Sequence, residues 1–224
     1  MRPPRGERVR LTGPAGEIEA LVEMPADAPV QGAPQRFGVV CHPHPLYGGT
    51  LDNKVVYTLA RAFVELGVPT VRFNFRGVGG SAGSYDEGSG ETADALAVIA
   101  YGRGRWPGAS LWLAGFSFGG AVAVRAAAQA APATLVTVAP GITRLAMTGV
   151  ESPACPWLIV QGDADDVIEP AAVLDWARRQ TPAPTVHVMQ GAGHFFHGRL
   201  HELRTTLLDF LGPHKEPPGS DSRR

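Results

Sequence analysis

Short apolar runs alternate with helix-like segments along most of this 224-residue chain. The runs are rich in Val, Leu, Ile and Phe, as expected of strands that are buried on both faces of a parallel sheet. Strands separated by helices require right-handed crossovers, so the pattern predicts an α/β fold with a mostly parallel sheet and helices on both faces. The predicted strands are FGVVCH, VPTVRFNF, SLWLAG, TLVTVA, PWLIVQ and TVHVMQ. The predicted helices are NKVVYTLARAFVELG, ETADALAVIAYGR, FGGAVAVRAAAQA, AAVLDWARRQ and GRLHELRTTLLDFL.

The two ends of the chain differ from this pattern. Strand-like runs over residues 7–12 and 17–24 flank the turn sequence GPAG, which predicts an antiparallel hairpin. The polar segment at residues 26–36 is expected to be a surface loop. From residue 213 the chain is rich in Pro, Gly and Ser, which predicts a disordered tail over 213–224. Residues 1–212 are long enough to bury the core of a single domain.

Composition excludes several classes of protein. The charged residues are scattered and give a formal net charge of −1, so no basic surface for nucleic acid is expected. No apolar run approaches the roughly 18 residues of a membrane span, so no membrane association is expected. The basic start lacks the apolar run of a signal peptide. Cys41 and Cys155 lie in apolar stretches and are expected to be reduced thiols, which favours the cytoplasm.

A candidate nucleophile lies between a predicted strand and a predicted helix. The sequence Gly115-Phe116-Ser117-Phe118-Gly119 joins them. Glycines two residues before and after the serine allow a sharp turn that lifts the hydroxyl above the sheet. The backbone N–H of Phe118 then points toward an oxyanion formed next to Ser117, and the start of the helix adds a favourable dipole.

A serine hydroxyl needs a base to accept its proton, and seven histidines compete for that role. His194 lies in QGAGHFF, a glycine-rich loop between the last strand and the last helix, and is the predicted base. The others have simpler explanations. His187 is expected to pack within a strand, and His197 and His201 to be solvated at or in the last helix. His214 lies in the polar tail, and the remaining two belong to the loop described next.

The acid and the second oxyanion donor each leave alternatives. Three aspartates follow the strand PWLIVQ, namely Asp163, Asp165 and Asp166. The loop His42-Pro43-His44-Pro45 follows the strand FGVVCH, and its prolines have no N–H to donate. The donor must therefore be His44, Leu46 or Tyr47. A metal held by His42 and His44 is disfavoured because no third ligand lies nearby in the sequence, and no cofactor is expected.

The segment VRFNFRGVGGSAGS superficially matches a dinucleotide-binding fingerprint through Gly77, Gly79 and Ala82. Such a site would need a helix opening within this run and an acid about 20 residues further on. Serines and glycines continue the run instead, and helix signals resume only near Glu91. The segment is therefore predicted to be an irregular loop.

Together these segments resemble small, lidless bacterial α/β-hydrolases, a subgroup similar to dienelactone hydrolases. The motifs that carry the resemblance are CHPHPLYGGTLDNKVV, VRFNFRGVGGSAGSYDEGSGE, GFSFGG, QGDADDV and GAGHFF. The resemblance implies an eight-stranded sheet whose second strand is antiparallel, and a serine, acid and histidine in that order along the chain. It selects Asp165, three residues after a glycine, over Asp166 as the acid, and His44 as the oxyanion donor.

Larger members of this superfamily insert a lid between the strands TLVTVA and PWLIVQ. Only residues 140–156 lie between them here, so an open site without a substantial lid is expected. The substrate is expected to contact Leu46, Tyr47 and Phe195. Further candidates for the lining are Phe118, Ile142, Met147 and Phe196.

The predicted function is hydrolysis of carboxylic esters or thioesters through an acyl-enzyme on Ser117. The same residues leave open an acyltransferase, or a catalytically silent binding module of the same fold. A peptidase is disfavoured because no acidic cluster for an amine is evident. The partner is then a small acyl ester or thioester, and the chain is expected to be a monomer or a homodimer.

Overall fold

The computed structural model describes residues 5–26 and 34–212. Within them a single sheet has the strand order β1-β2-β4-β3-β5-β6-β7-β8. The strands are β1 (Arg5–Gly13), β2 (Gly16–Met24), β3 (Arg36–Cys41), β4 (Thr70–Phe73), β5 (Ser110–Phe116), β6 (Thr134–Val138), β7 (Trp157–Gly162) and β8 (Thr185–Met189). The helices are α1 (Lys54–Glu65), α2 (Ser89–Arg105), α3 (Phe118–Ala130), α4 (Pro170–Arg178) and α5 (Leu200–Leu211). The predicted α/β fold is confirmed.

The second strand is the one that runs against the others. β2 pairs antiparallel with β1 in the predicted hairpin and antiparallel with β4 on its other side. From β4 through β8 each neighbouring pair is parallel, and Val39 of β3 lies between Val71 and Leu113. The order expected from the resemblance is therefore present.

Helices cover both faces of the sheet. On one face α1 and α5 pack over the central strands, where Phe63 and Leu207 are fully buried in the same cluster as Trp112. On the other face α2, α3 and α4 form a second cluster, which includes Phe37 and Val122. Each fully buried side chain of this size contributes about 1.5 to 3 kcal/mol, so the two layers hold the sheet rigidly between them.

The loops that follow the parallel strands lie at the same edge of the sheet, where the carboxyl ends of the strands meet. Ser117 follows β5 directly, and the segments after β7 and β8 contain Asp165 and His194. In open α/β sheets the carboxyl ends of the strands are where ligands bind. The sheet thereby brings together three residues that are far apart in the sequence.

Two connections at this edge have no regular structure. Residues 139–156, between β6 and β7, contain neither a helix nor a strand, so no multi-helix cap is present there. The segment from Arg76 to Gly88 is an irregular loop in which Gly77, Gly79 and Gly83 have positive φ angles, as predicted for the false dinucleotide fingerprint.

Some predictions fall outside the described residues. The loop expected over 26–36 lies mostly in 27–33, and the tail lies wholly beyond 212. In the described part of the chain Cys41 is buried, Cys155 is half-buried and both thiols are free. None of the helices described above is long and apolar enough to cross a bilayer.

Candidate active site

Ser117 occupies a strained turn between β5 and α3. Its backbone has φ 54° and ψ −121°, a region that side-chain-bearing residues rarely adopt. The turn needs glycine on both sides of the serine, because the surrounding backbone leaves no room for a side chain there. A Cβ on Gly115 would lie 2.1 Å from the carbonyl oxygen of Gly119, and one on Gly119 would lie 2.3 Å from that of His42. Strand, helix and the end of β3 therefore close tightly around the serine.

A chain of two hydrogen bonds links the three predicted residues. His194 Nε2 lies 3.0 Å from Ser117 Oγ, and His194 Nδ1 lies 2.8 Å from Asp165 Oδ2. All three residues are buried. The imidazole is also held between aromatic rings, with its centroid 5.0 Å from those of Phe116 and Phe195. The ring therefore has a fixed orientation toward both partners.

Asp165 is the aspartate of its loop that reaches the histidine. Its Oδ1 accepts hydrogen bonds from the backbone N–H groups of Val167 (2.9 Å) and Ile168 (2.8 Å). Burial by itself would raise the pKa of Asp165, but the hydrogen bonds from His194 and from these two N–H groups outweigh burial and lower the pKa. The side chain is therefore held as a carboxylate.

The other two aspartates lie elsewhere. Asp163 Oδ1 accepts a hydrogen bond of 2.5 Å from the N–H of Gly191 and so joins the loops after β7 and β8. Asp166 is exposed to solvent. Neither contacts His194, so the structure favours Asp165 as the partner of the imidazole.

Gln161, the penultimate residue of β7, also belongs to the site, although no motif in the sequence predicts it. Its Nε2 donates to Asp165 Oδ2 at 3.1 Å and to the carbonyl oxygen of Gly162 at 3.1 Å. Its side chain is buried, and Oε1 has no hydrogen-bond partner among the described residues. The signal in the sequence was an amide at the end of an otherwise apolar strand.

One of the three candidate residues in the loop after β3 keeps a backbone N–H that no described hydrogen bond uses. Of the three candidates, the N–H of Leu46 donates to His44 Nδ1 (3.2 Å) and that of Tyr47 donates to the carbonyl oxygen of His44 (3.1 Å). Among the described residues no backbone hydrogen bond uses the N–H of His44. The N–H of Phe118, the first residue of α3, has no partner within its helix. His44 and Phe118 thus retain unused backbone donors, and both residues line the same cavity as Ser117.

His44 is fixed by aromatic neighbours. The centroid of its ring lies 4.7 Å from that of Tyr47, 4.8 Å from that of Phe118 and 4.9 Å from that of Tyr85. Burial lowers the pKa of His44, with Glu91 acting in the opposite direction and Arg144 lowering the pKa further. The imidazole is therefore uncharged near neutral pH.

His42 has both ring nitrogens occupied. Nδ1 donates to the carbonyl oxygen of Pro43 at 2.6 Å, and Nε2 accepts from the N–H of Phe75 at 2.9 Å. Burial lowers the pKa of His42 to about 4, with the hydrogen bond to Pro43 opposing the shift. With no nitrogen available to a metal ion, His42 acts as a buried brace between β3 and the segment after β4.

A cavity of about 610 Å³ opens over the serine. Its described lining is Pro43, His44, Tyr47, Gly48, Gly49, Asn53, Ser117, Phe118, Gly141, Arg144, Val167, Ile168, His194 and Phe195. Most of these side chains are apolar or aromatic, which is typical of a small-molecule site. Arg144 is the one permanently charged side chain in this lining.

The cavity lining includes some of the residues that the sequence predicts to contact the substrate. Tyr47, Phe118 and Phe195 line the cavity. Leu46 is not among the lining residues, and 67% of its surface is exposed. Among the further candidates Phe196 is fully buried in the core. Ile142 and Met147 also lie outside the lining and pack against the core instead.

Known proteins resemble this chain over nearly its whole length. A lidless α/β serine hydrolase from Xanthomonas campestris is 42% identical, with a TM-score of 0.88 over 96% of this chain and 97% of that one. An α/β serine hydrolase homologue from Coxiella burnetii is 44% identical, with a TM-score of 0.86 over 92% and 97% of the two chains.

Two sequence comparisons agree with these structures. An uncharacterized protein of Rickettsia prowazekii is 32% identical over 214 residues, which are 91% of this chain and 88% of that protein. The family model described as serine aminopeptidase, S33, matches residues 48–152. That segment includes Ser117 and ends before Asp165 and His194.

Proposed function

We propose that this chain, which belongs to the α/β serine hydrolases, cleaves carboxylic esters or thioesters through an acyl-enzyme on Ser117. The observation that carries the proposal is the buried chain of hydrogen bonds from Ser117 Oγ through His194 to Asp165, with lengths of 3.0 and 2.8 Å. These distances suit transfer of a proton from the hydroxyl to the imidazole.

In the first step Ser117 Oγ forms a bond to the acyl carbon while His194 Nε2 takes the hydroxyl proton. The Nδ1–H bond to Asp165 holds the imidazole in the tautomer that leaves Nε2 free to accept, and the carboxylate stabilises the imidazolium. The tetrahedral intermediate collapses, the bond to the leaving oxygen or sulfur breaks, and His194 returns the proton to the leaving group.

The negative charge on the carbonyl oxygen needs donors that are already in place. The backbone N–H groups of His44 and Phe118 are suited to this role, because neighbouring hydrogen bonds occupy those of Leu46 and Tyr47. Phe118 begins α3, so the helix dipole adds to the stabilisation. One such donor typically contributes about 3 to 4 kcal/mol.

In the second step a water molecule replaces the leaving group. His194 removes a proton from the water, the hydroxide oxygen attacks the acyl carbon, and the acid is released as Ser117 regains its proton. Esters and thioesters pass through the same tetrahedral intermediate, so the site suits both. An acceptor alcohol in place of water would make the chain an acyltransferase.

The charge in the cavity favours esters over the substrates of an aminopeptidase, the activity in the description of the matching family model. An aminopeptidase must hold the ammonium group of its substrate, which requires an anion near the nucleophile. Arg144 is the one permanently charged residue in the described lining, and it is a cation. It would repel an ammonium group.

The test is labelling with a fluorophosphonate and hydrolysis of para-nitrophenyl butyrate. We expect the wild-type protein to be labelled and to turn over the ester. Ser117→Ala should lose both, whereas the control Ser84→Ala, in an exposed loop, should retain both. A wild-type protein that is folded but unlabelled and inactive would favour the binding module. Formation of a new butyrate ester with an added alcohol would identify an acyltransferase.

We also propose, from the sequence, a cytoplasmic location and a monomer or homodimer. Cell fractionation and native mass spectrometry test these two expectations directly.

A further inference from the structure

Arg144 is tied to the backbone of the nucleophile. It belongs to the connection between β6 and β7, where the N–H of Gly141 donates to the carbonyl oxygen of Ser117 at 2.8 Å. The N–H of Arg144 in turn donates to the carbonyl oxygen of Gly141 at 3.0 Å. Two hydrogen bonds therefore connect Arg144 to Ser117, and its side chain lines the same cavity.

Within residues 5–26 and 34–212 the guanidinium of Arg144 has no carboxylate partner. The ion pairs of the described residues do not include Arg144, although eight other arginines take part in them. Its one side-chain hydrogen bond to a described residue is a long contact of 3.5 Å to the carbonyl oxygen of Val167, which also lines the cavity. Most of its five N–H donors are thus available to a ligand.

The surroundings of Arg144 strengthen its attraction for an anion. The aromatic and aliphatic side chains of Tyr47, Phe118, Val167, Ile168 and Phe195 form much of the cavity wall. A substrate covering this wall would displace water and lower the local dielectric constant, which makes a charge-assisted hydrogen bond stronger. A planar guanidinium also matches the two oxygens of a carboxylate.

We propose that Arg144 selects substrates that carry a carboxylate in addition to the ester or thioester bond. This inference rests on the proposed function, because it specifies the substrate class of that same site. A single arginine compensates a single negative charge, which favours a carboxylate over a doubly charged phosphate. The carboxylate belongs to the acyl part or to the leaving part of the substrate, and the substrates below distinguish the two.

The experiment compares kcat/KM for charged and neutral esters of equal length. For the acyl part the pair is para-nitrophenyl hemiglutarate and its methyl ester. For the leaving part the pair is the butyrate ester of para-hydroxybenzoate and that of methyl para-hydroxybenzoate. Spontaneous hydrolysis is subtracted in each case. We expect the wild-type protein to prefer the charged member of one pair by about 10-fold or more.

Variants of Arg144 assign the preference. Arg144→Gln should lower kcat/KM for the preferred charged ester by about 10- to 100-fold, the effect of losing one charged hydrogen bond, and should change the neutral ester little. Arg144→Lys should retain part of the preference, and Arg144→Glu should reverse it. The matched control is Arg179→Gln, an exposed arginine after α4 that does not line the cavity, and it should behave as the wild-type protein.

The outcomes separate this inference from the proposed function. If the neutral esters are hydrolysed but neither pair shows a preference, or if Arg144→Gln leaves the preference intact, Arg144 does not select the substrate. If no ester is hydrolysed and no fluorophosphonate label is incorporated, the proposed function itself is wrong.

Discussion

Gln161 donates a hydrogen bond of 3.1 Å to Oδ2 of Asp165 from a position without access to solvent. The same oxygen accepts the hydrogen bond from His194 Nδ1. Gln161 therefore stabilises the charged form of the carboxylate and fixes the direction from which the imidazole approaches it. Its other amide atom, Oε1, has no hydrogen-bond partner in the described part of the chain, and a buried polar atom without a partner destabilises the fold.

The first prediction concerns this amide. Gln161→Met keeps the volume but removes the donor, so we expect kcat for an activated ester to fall by about 10-fold. Loss of the donor raises the pKa of Asp165, and the acidic limb of the pH profile should move to higher pH.

The same variant should not be less stable, because it also removes the unpartnered Oε1, whose burial costs about 1 to 3 kcal/mol. Urea unfolding measures this. A Gln161→Met protein whose pH profile superimposes on that of the wild type would show that the amide has only a packing role.

The second prediction assigns the acid. Asp165→Asn should lower kcat by about 10³- to 10⁴-fold, because the amide favours the wrong tautomer of His194. Asp166→Asn, in the same loop but exposed, should change kcat by less than about 3-fold, as expected of a surface substitution. Steady-state kinetics with one activated ester tests both variants. Comparable losses in the two would contradict the assignment.

The third prediction isolates the N–H of His44. The backbone of this residue has φ −54°, which proline can adopt. His44→Ala removes the ring and keeps the N–H, whereas His44→Pro removes both. We expect kcat of the proline variant to be about 10²- to 10³-fold below that of the alanine variant. Equal values of kcat for the two variants would show that the N–H of His44 is not the oxyanion donor.

The fourth prediction follows from the buried His42. Burial lowers its pKa from 6.5 to about 4, so the folded protein keeps it neutral where the unfolded chain takes up a proton. Its contribution to stability is full above pH 6.5 and is lost as the pH falls through about 4. The shift corresponds to about 3 kcal/mol.

Urea unfolding of the wild type and of His42→Gln between pH 7 and pH 4 measures this contribution. The wild type should lose about 3 kcal/mol more than the variant over this range, since glutamine does not titrate. Parallel stability curves would show that the histidine is already protonated in the folded state.

Much of the fold could be predicted because local pattern and global topology agree. Buried parallel strands read as continuous apolar runs, and the rule that chemistry lies at their carboxyl ends separates His194 from His187, which lies within β8. The glycines on either side of Ser117 predict the sharp turn, because the backbone there approaches too closely for a side chain. The choice of Asp165 needed the family resemblance, because three aspartates in one turn are equivalent in the sequence.

Other features could not be predicted, for physical reasons. The run VPTVRFNF predicts a strand up to Phe75, but β4 ends at Phe73. Asn74 turns its side chain to Leu51 and Glu19, and the N–H of Phe75 is bonded to His42, so the ladder stops there.

The sequence also does not predict the roles of single side chains that lie outside helices and strands. Arg144 lies in a connection without periodicity, and nothing in the sequence shows that its partner is missing. The sequence predicts Leu46 at the substrate, but in the short 3-10 turn at Pro45–Tyr47 this residue is exposed and does not line the cavity.

The positive φ angle of Ser117 means that the residue that carries the hydroxyl also destabilises the folded state. A residue with a side chain in this region of φ and ψ typically destabilises the fold by about 1 to 3 kcal/mol, and glycine would avoid most of this strain. The inactive Ser117→Gly protein should therefore resist urea better than the equally inactive Ser117→Ala. The hydroxyl that the proposed chemistry needs therefore lowers the stability of the fold at this position.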